Sequence, residues 1–189
     1  MKLPPVLYKI LHPNSISIKL KKIMEPKFDF KNKKVLDFGC GTGLSSIIFS
    51  PKGYLGVDID FQRIELAQEL YPKYEFEIIK NEKINFPDNS LDHGFICGVL
   101  HHIPDEIIKK YIPEFKRILK PKGSLLILEP TNFPTWPITS KLMILCDAGK
   151  YIRKEEEYQE FFKDFKVKSF EPFRIVYFYR TSFFSATKN

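Results

Sequence analysis

Two short stretches of this 189-residue chain space their residues as chemistry requires. The first is "DFGCGTG", Asp37 to Gly43, where three glycines alternate behind an acid. Gly39 permits a sharp turn, and Gly41 and Gly43 let a ligand or a helix approach the backbone without a Cβ in the way. The second is "LHHIP", in which His101 and His102 offer imidazoles able to move a proton near neutral pH. A glycine triplet alone also suits a purely structural loop, so the spacing around it decides what it can hold.

That spacing argues against a pyrophosphate. The dinucleotide fingerprint is GxGxxG, but Leu44 stands where its last glycine would be, leaving GxGxG. Asp37, two residues ahead of the first glycine, is poorly suited to a phosphate and well suited to a cationic or ammonium-bearing ligand. A second acid follows in "GVDID", where Asp58 can accept both hydroxyl protons of a ribose, while Asp60 suits the cap of the next helix. Cys40, squeezed between glycines, reads as a small filler rather than a nucleophile. Cys40, Cys97 and Cys146 contain no CxxC pairing, which fits neither a disulfide framework nor a zinc site, so no metal is expected.

The elements that must position these residues follow an alternating grammar. Lys34 to Phe38 is a strand, a helix begins near Gly43 and runs through "LSSIIFS", Gly53 to Ile59 is a second strand, and Phe61 to Tyr71 is a helix. "YEFEII" alternates with period two as a third strand, and "LDHGFICGVL" is a fourth behind the turn-rich "FPDNS". A helix over "DEIIKKYIPEFKRIL", with Pro113 a candidate kink, leads to the apolar fifth strand in "PKGSLLILEP". Five strands with crossovers predict a doubly wound α/β sheet with helices on both faces. "FKVKSFEPF" and "RIVYFYRTSFFSA" close the chain as two strands joined by a connection short enough to predict antiparallel pairing.

Length and apolar content predict a single domain over 1–189, with residues 1–30 as a helical cap and 131–163 as an insertion, or lid, between strands five and six. No apolar run approaches the roughly 18 residues that span a bilayer, and Met1 to Leu11 is broken by Pro4, Pro5 and Lys9. A cytoplasmic protein with reduced thiols is expected. The net charge of +7 comes from lysines scattered along the chain, with five arginines, and the cluster Lys19, Lys21, Lys22 and Lys27 reads as a solvated helix face rather than a nucleic-acid surface.

Four motifs, "VLDFGCGTG", "GVDID", "FPDNSLDHGFICGVLHHI" and "RILKPKGSLLILEP", occur in an order and spacing that resembles the class I S-adenosylmethionine-dependent methyltransferases, most like their small-molecule group. The resemblance covers Lys34 to Pro130. It implies a Rossmann-like seven-stranded sheet with an antiparallel last strand, S-adenosyl-L-methionine as cofactor and S-adenosyl-L-homocysteine as product. By matching position it implies that Asp37, Gly39, Cys40, Gly41 and Gly43 line the methionine end, that Asp58 holds the ribose, that Ile59 packs on the adenine, and that Gly98 and Leu100 form the wall nearest the sulfonium. Relatives contact the adenine amine from a "GDA" stretch; here Lys80, Asn81 and Glu82 stand in its place, so Asn81, with Glu82 beside it, takes that role, or Lys80 after a slip of one residue.

The family carries a histidine matching His102, as wall and hydrogen-bonding partner more often than as base, and His101 and His102 are the candidates for catalysis. Trp136, Tyr151, Arg153 and Tyr177 are candidates for the acceptor pocket. The fourth strand lacks both the Pro-Cys context of cytosine methylation and the Asn/Asp-Pro-Pro-aromatic motif used on amino groups, which argues for a small or lipid-like acceptor over nucleic acid. "SKLMILC" is apolar enough for peripheral membrane contact or for burial. The alternatives are a regulatory protein that binds the cofactor without transfer, and a nicotinamide-dependent dehydrogenase, which Leu44 and Asp37 disfavour.

Overall fold

The computed structural model describes residues 14–80, 83–131, 150–174 and 180–189. Its contacts cluster into two compact units, Met1–Lys80 and Asn81–Asn189. The described strands form a seven-stranded sheet in the order β3-β2-β1-β4-β5-β7-β6.

In the first unit, helix α1 (Ser15–Met24) precedes strand β1 (Val35–Phe38), a 3-10 turn (Leu44–Ile48), strand β2 (Tyr54–Asp58), helix α2 (Phe61–Leu70) and strand β3 (Glu75–Ile78). β1, β2 and β3 pair in parallel, with Asp37 opposite Gly56 and Gly56 opposite Phe76. β1 is buried along its length, as a central parallel strand must be. β3 alternates, burying Phe76 and leaving Glu75 and Glu77 exposed, so charges guard that edge of the sheet. Asp60 caps α2 as expected, accepting from the N–H groups of Gln62 and Arg63.

The helix expected after the glycine loop is instead a five-residue 3-10 turn. Two serines and two β-branched isoleucines give it little helix propensity, and Phe49 leaves in extended conformation to enter the core. There its ring meets Phe30 edge-on at 5.1 Å and stacks on Tyr54 at 5.9 Å. α1 docks on this turn through the buried Ser17, whose hydroxyl donates to the Leu44 carbonyl at 2.7 Å. Lys19 and Lys22 of α1 are exposed, as a solvated face requires.

The second unit holds β4 (Leu91–Cys97), a second 3-10 turn (Leu100–His102), helix α3 (Asp105–Ile118), β5 (Leu119–Pro130), helix α4 (Glu155–Glu160), β6 (Lys166–Arg174) and β7 (Arg180–Thr187). β4 and β5 are parallel, whereas β7 runs antiparallel to both β5 and β6, as the closing motifs predict. α3 buries Ile108, Tyr111, Phe115 and Ile118 on one stripe and carries acids in its first turn and bases in its last. It continues through Pro113, which lies on the exposed face where the released Lys109 carbonyl can meet water. β6 accommodates Pro172 at a register shift between Phe170 and Phe173 on the sheet edge. Of the expected insertion, residues 132–149, with the first of its two helices, lie outside the described residues; α4 is the second.

Gly56 is the tightest point beneath the glycine loop. A Cβ there would stand 2.7 Å from Phe76 Cδ1 and 2.9 Å from both Cys40 Sγ and Tyr54 Oη. Gly56→Ala should therefore cost about 1–3 kcal/mol of stability through overpacking, read from urea unfolding midpoints; an unchanged midpoint would show that these three side chains can retreat.

Candidate functional site

In the first unit, the carboxyl ends of β1 and β2 carry one group of candidate residues. Gly39, Gly41 and Gly43 all have positive φ, yet Gly41 and Gly43 answer different needs. A Cβ on Gly43 would collide with Phe76 Cζ at 2.7 Å, so this glycine serves packing. A Cβ on Gly41 would meet nothing within 4 Å, so this glycine borders open space that a ligand can fill. The loop hangs from the ends of β2: the Gly39 and Cys40 N–H groups donate to the Val57 carbonyl, and the Gly41 N–H donates to Asp58 Oδ2 at 2.8 Å. Asp58 Oδ1 accepts from the Asp60 N–H at 2.9 Å, so both carboxylate oxygens are anchored, each with a lone pair remaining for a hydroxyl. Directly after Asp58, Ile59 is 78% exposed, an apolar surface beside that acid.

Asp37 lies under the loop, buried, and its partner was not legible in the motif. The Tyr54 hydroxyl donates to Asp37 Oδ2 at 2.7 Å. Burial pushes the Asp37 carboxyl up from 3.8 to about 7, with the Tyr54 hydrogen bond pulling it down and the Asp58 charge pushing it further up. The Cys40 thiol is pushed up strongly by burial and by both acids, which keeps it protonated and supports its reading as a filler.

In the second unit, the loop after β4 carries another group of candidate residues. Gly98 has φ +67 and its N–H donates to the Leu128 carbonyl. Glu129, fully buried at the end of β5, accepts from the N–H groups of Val99 and Leu100 at 2.8 Å each. It also meets the His101 Nδ1 at 2.8 Å. His101 is buried, with the exposed His102 ring tilted against it at 3.9 Å between centroids. Leu100 is buried.

Arg153, expected from the sequence in an acceptor pocket, is engaged elsewhere. It is buried, and its guanidinium donates to the carbonyls of Leu100, Tyr151 and Ile103 and twice to Asp105 Oδ1. That accounts for all five N–H donors of an arginine. Tyr151, Tyr158 and Phe161 surround it at 5.4 to 5.6 Å from the guanidinium carbon. The Tyr151 N–H donates to the His101 carbonyl, so "KYIRKEEEY" grips the histidine loop by its carbonyls while Glu129 grips it by its N–H groups. Tyr151 remains 38% exposed. Asn81, Glu82, Trp136 and Tyr177 lie outside the described residues.

Sequence reasoning missed Tyr54, Glu129 and Asp105. Glu129 carried a signal, as the one charged residue in "SLLILEP"; Tyr54 carried none, because tyrosine is ordinary in a strand. No group of three or more potential metal ligands occurs among the described residues.

The doubly wound sheet, the GxGxG loop over Asp37 and the acid closing β2 define a Rossmann-like protein. The family described as methyltransferase domain matches residues 35–123. The chain is 30% identical over 112 residues to a tRNA U34 carboxymethyltransferase of Nautilia profundicola, covering 56% of this chain and 37% of that protein. It is 30% identical over 118 residues to a demethylmenaquinone methyltransferase of Listeria welshimeri, covering 56% and 49%. The chain thus spans about half or less of the length of these curated relatives. The solved YcgJ protein of Bacillus subtilis superposes with a TM-score of 0.73 at 17% identity, over 92% of this chain and 98% of that one. Residues 35–123 thus resemble a methyltransferase domain family, and the solved neighbour shares its fold.

The cofactor of that family fits what the loop presents: open space at Gly41, an anchored acid at Asp58, an exposed apolar face at Ile59 and a buried acid at Asp37.

Two consequences are measurable. Because the folded-state pKa of Asp37 is raised, the folded protein keeps a proton that the unfolded chain has released between pH 3.8 and about 7. Stability from this group is therefore full at low pH and is lost as pH rises through that window, by at most about 1.4 kcal/mol per pH unit. Asp37→Asn should flatten that slope in urea midpoints measured from acid to neutral pH; parallel curves would sink the assignment. Arg153→Leu removes the donors to the Tyr151 and Ile103 carbonyls, one of two to the Leu100 carbonyl and those to the largely exposed Asp105, and should cost about 1–3 kcal/mol, visible as a drop in melting temperature, whereas a shift within error would show that the grip is redundant.

Proposed function

We propose that this chain transfers the methyl group of S-adenosylmethionine to a small or lipid-like acceptor. The observation that carries the reading is the anchored loop: Gly41 bordering open space while its own N–H holds Asp58 beside the exposed Ile59. Asp58 takes the ribose hydroxyls, Ile59 the adenine face, and Asp37 the charged amino-acid end. Asn81, with Glu82 beside it, takes the adenine amine. When bound, the cofactor supplies a methyl group activated on a sulfonium and leaves as S-adenosylhomocysteine.

The chain's own contribution is to hold, orient and exclude water. Gly98 and Leu100 form the wall behind the reacting atoms, and an in-line displacement needs little beyond that placement. His102, exposed on the gripped loop, is the residue offered to an acceptor proton. His101 is held under it by Glu129, and Tyr151 is the described aromatic available to an acceptor. The demethylmenaquinone methyltransferase among the relatives supports a small apolar acceptor. No helix among the described residues is long and apolar enough to cross a membrane.

Isothermal titration with S-adenosylhomocysteine tests the reading. Binding should be saturable, and Asp58→Ala should weaken it at least about tenfold by removing two hydrogen bonds to ribose. No heat with S-adenosylhomocysteine, or heat with NAD instead, would overturn it. Binding with no methyl release across a panel of quinone, amine and lipid acceptors would turn it toward a regulatory protein.

A further inference from the structure

Asp37 is 2% exposed, yet among the described residues it meets no cation. Its hydrogen-bond partner is a neutral phenol, and the charge closest in effect is a second acid, Asp58. A buried carboxylate without a counter-charge is expensive to ionise. In the free protein the carboxyl answers by holding its proton up to about pH 7, and the arrangement around Tyr54 indicates what would favour the ionised form.

Tyr54 enters β2 opposite Val35, two residues before the position that faces Asp37. Its ring runs along the strand, over Gly56, to deliver the hydroxyl to Asp37. Gly56 is what lets it pass, since a Cβ there would stand 2.9 Å from the hydroxyl. The ring is clamped by Phe49 at 5.9 Å, Tyr74 at 5.3 Å and Phe76 at 5.8 Å, and is itself only 2% exposed. So rigid a donor fixes the carboxylate it serves.

We propose that Tyr54 is a positioning residue: it holds the Asp37 carboxylate in place as the counter-ion of the ligand's ammonium group, and so selects a nucleoside thioether that carries an amino acid over one that lacks it. This rests on the methyltransferase reading above. The titratable groups facing Asp37 within the first unit are Tyr54 and Asp58 from β2 and Cys40 from the loop, with Tyr74 against the far edge of the Tyr54 ring. Tyr54 and Cys40 are both pushed upward by burial and by Asp37 and stay neutral. The two acids are thus the charges in this cluster, and a bound ammonium is the cation that balances them.

The sign follows. Asp37 gives up its proton near pH 7 in the free protein. An ammonium beside it favours the ionised form, so binding releases a proton below that pH and tightens as pH rises toward about 8. The Tyr54 hydrogen bond favours the same form, so its removal keeps the proton on Asp37 to higher pH.

The experiment is titration of wild type, Tyr54→Phe and Asp37→Asn with two ligands, S-adenosylhomocysteine and 5′-methylthioadenosine, between pH 6 and about 8.5. The second ligand has the same nucleoside and thioether but no amino acid. Tyr54→Phe should bind S-adenosylhomocysteine about tenfold more weakly at pH 7, with the gap narrowing as pH rises, and should bind 5′-methylthioadenosine as wild type does. Asp37→Asn, which keeps an acceptor for Tyr54, should bind S-adenosylhomocysteine weakly and without pH dependence, again sparing 5′-methylthioadenosine. Equal S-adenosylhomocysteine affinity in wild type and Tyr54→Phe would overturn the proposal, as would an equal loss for both ligands, which marks a merely structural tyrosine. Wild type that binds neither ligand would instead remove the cofactor reading on which the proposal stands.

Discussion

A loop that must offer its backbone to a ligand cannot be held by side chains of its own, because those would fill the space the ligand needs. In this protein such loops hang from carboxylates at the ends of neighbouring strands. Asp58, closing β2, takes the Gly41 N–H; Glu129, closing β5, takes the Val99 and Leu100 N–H groups and the His101 ring. The device is the same in both units. A carboxylate accepts several hydrogen bonds at once, so one buried side chain fixes two or three residues of irregular backbone.

Burying acids is costly, and the two loops offset it differently. Glu129 is surrounded by donors, and the segment it holds is gripped from the opposite side by Arg153, whose five N–H groups are spent on three carbonyls and Asp105. That loop is held by hydrogen bonds from its N–H groups to Glu129 and from Arg153 to its carbonyls. At the glycine loop, Asp37 has a phenol as its partner, and burial pushes its carboxyl up to about 7.

The same contrast explains which expectations survive contact with the structure. The sequence offered Arg153 to an acceptor pocket, and the same residue type suits a buried clamp; its five hydrogen bonds are those of a clamp. The helix after the glycines shortened to a 3-10 turn because Phe49 is drawn into the aromatic cluster of Phe30, Tyr54 and Phe76. Local pattern cannot report that pull, since the cluster is assembled from four separated segments.

The sequence by itself determined the period and place of nearly every element: buried β1, alternating β3, the apolar stripe of α3, the Asp60 cap and the antiparallel closing strands. These depend on interactions within a few residues and on burial of a regular face, which a linear pattern encodes directly. It also carried the glycine loop and its flanking acids, since their spacing is set by a single turn. Only the tertiary structure decided what those groups touch. Asp37 finds its partner 17 residues away, His101 finds Glu129 at 28, and Arg153 reaches Leu100 at 53. Pairings at such separations follow from strand order and register, and so the chemistry of each acid is settled by the neighbour the sheet brings to it.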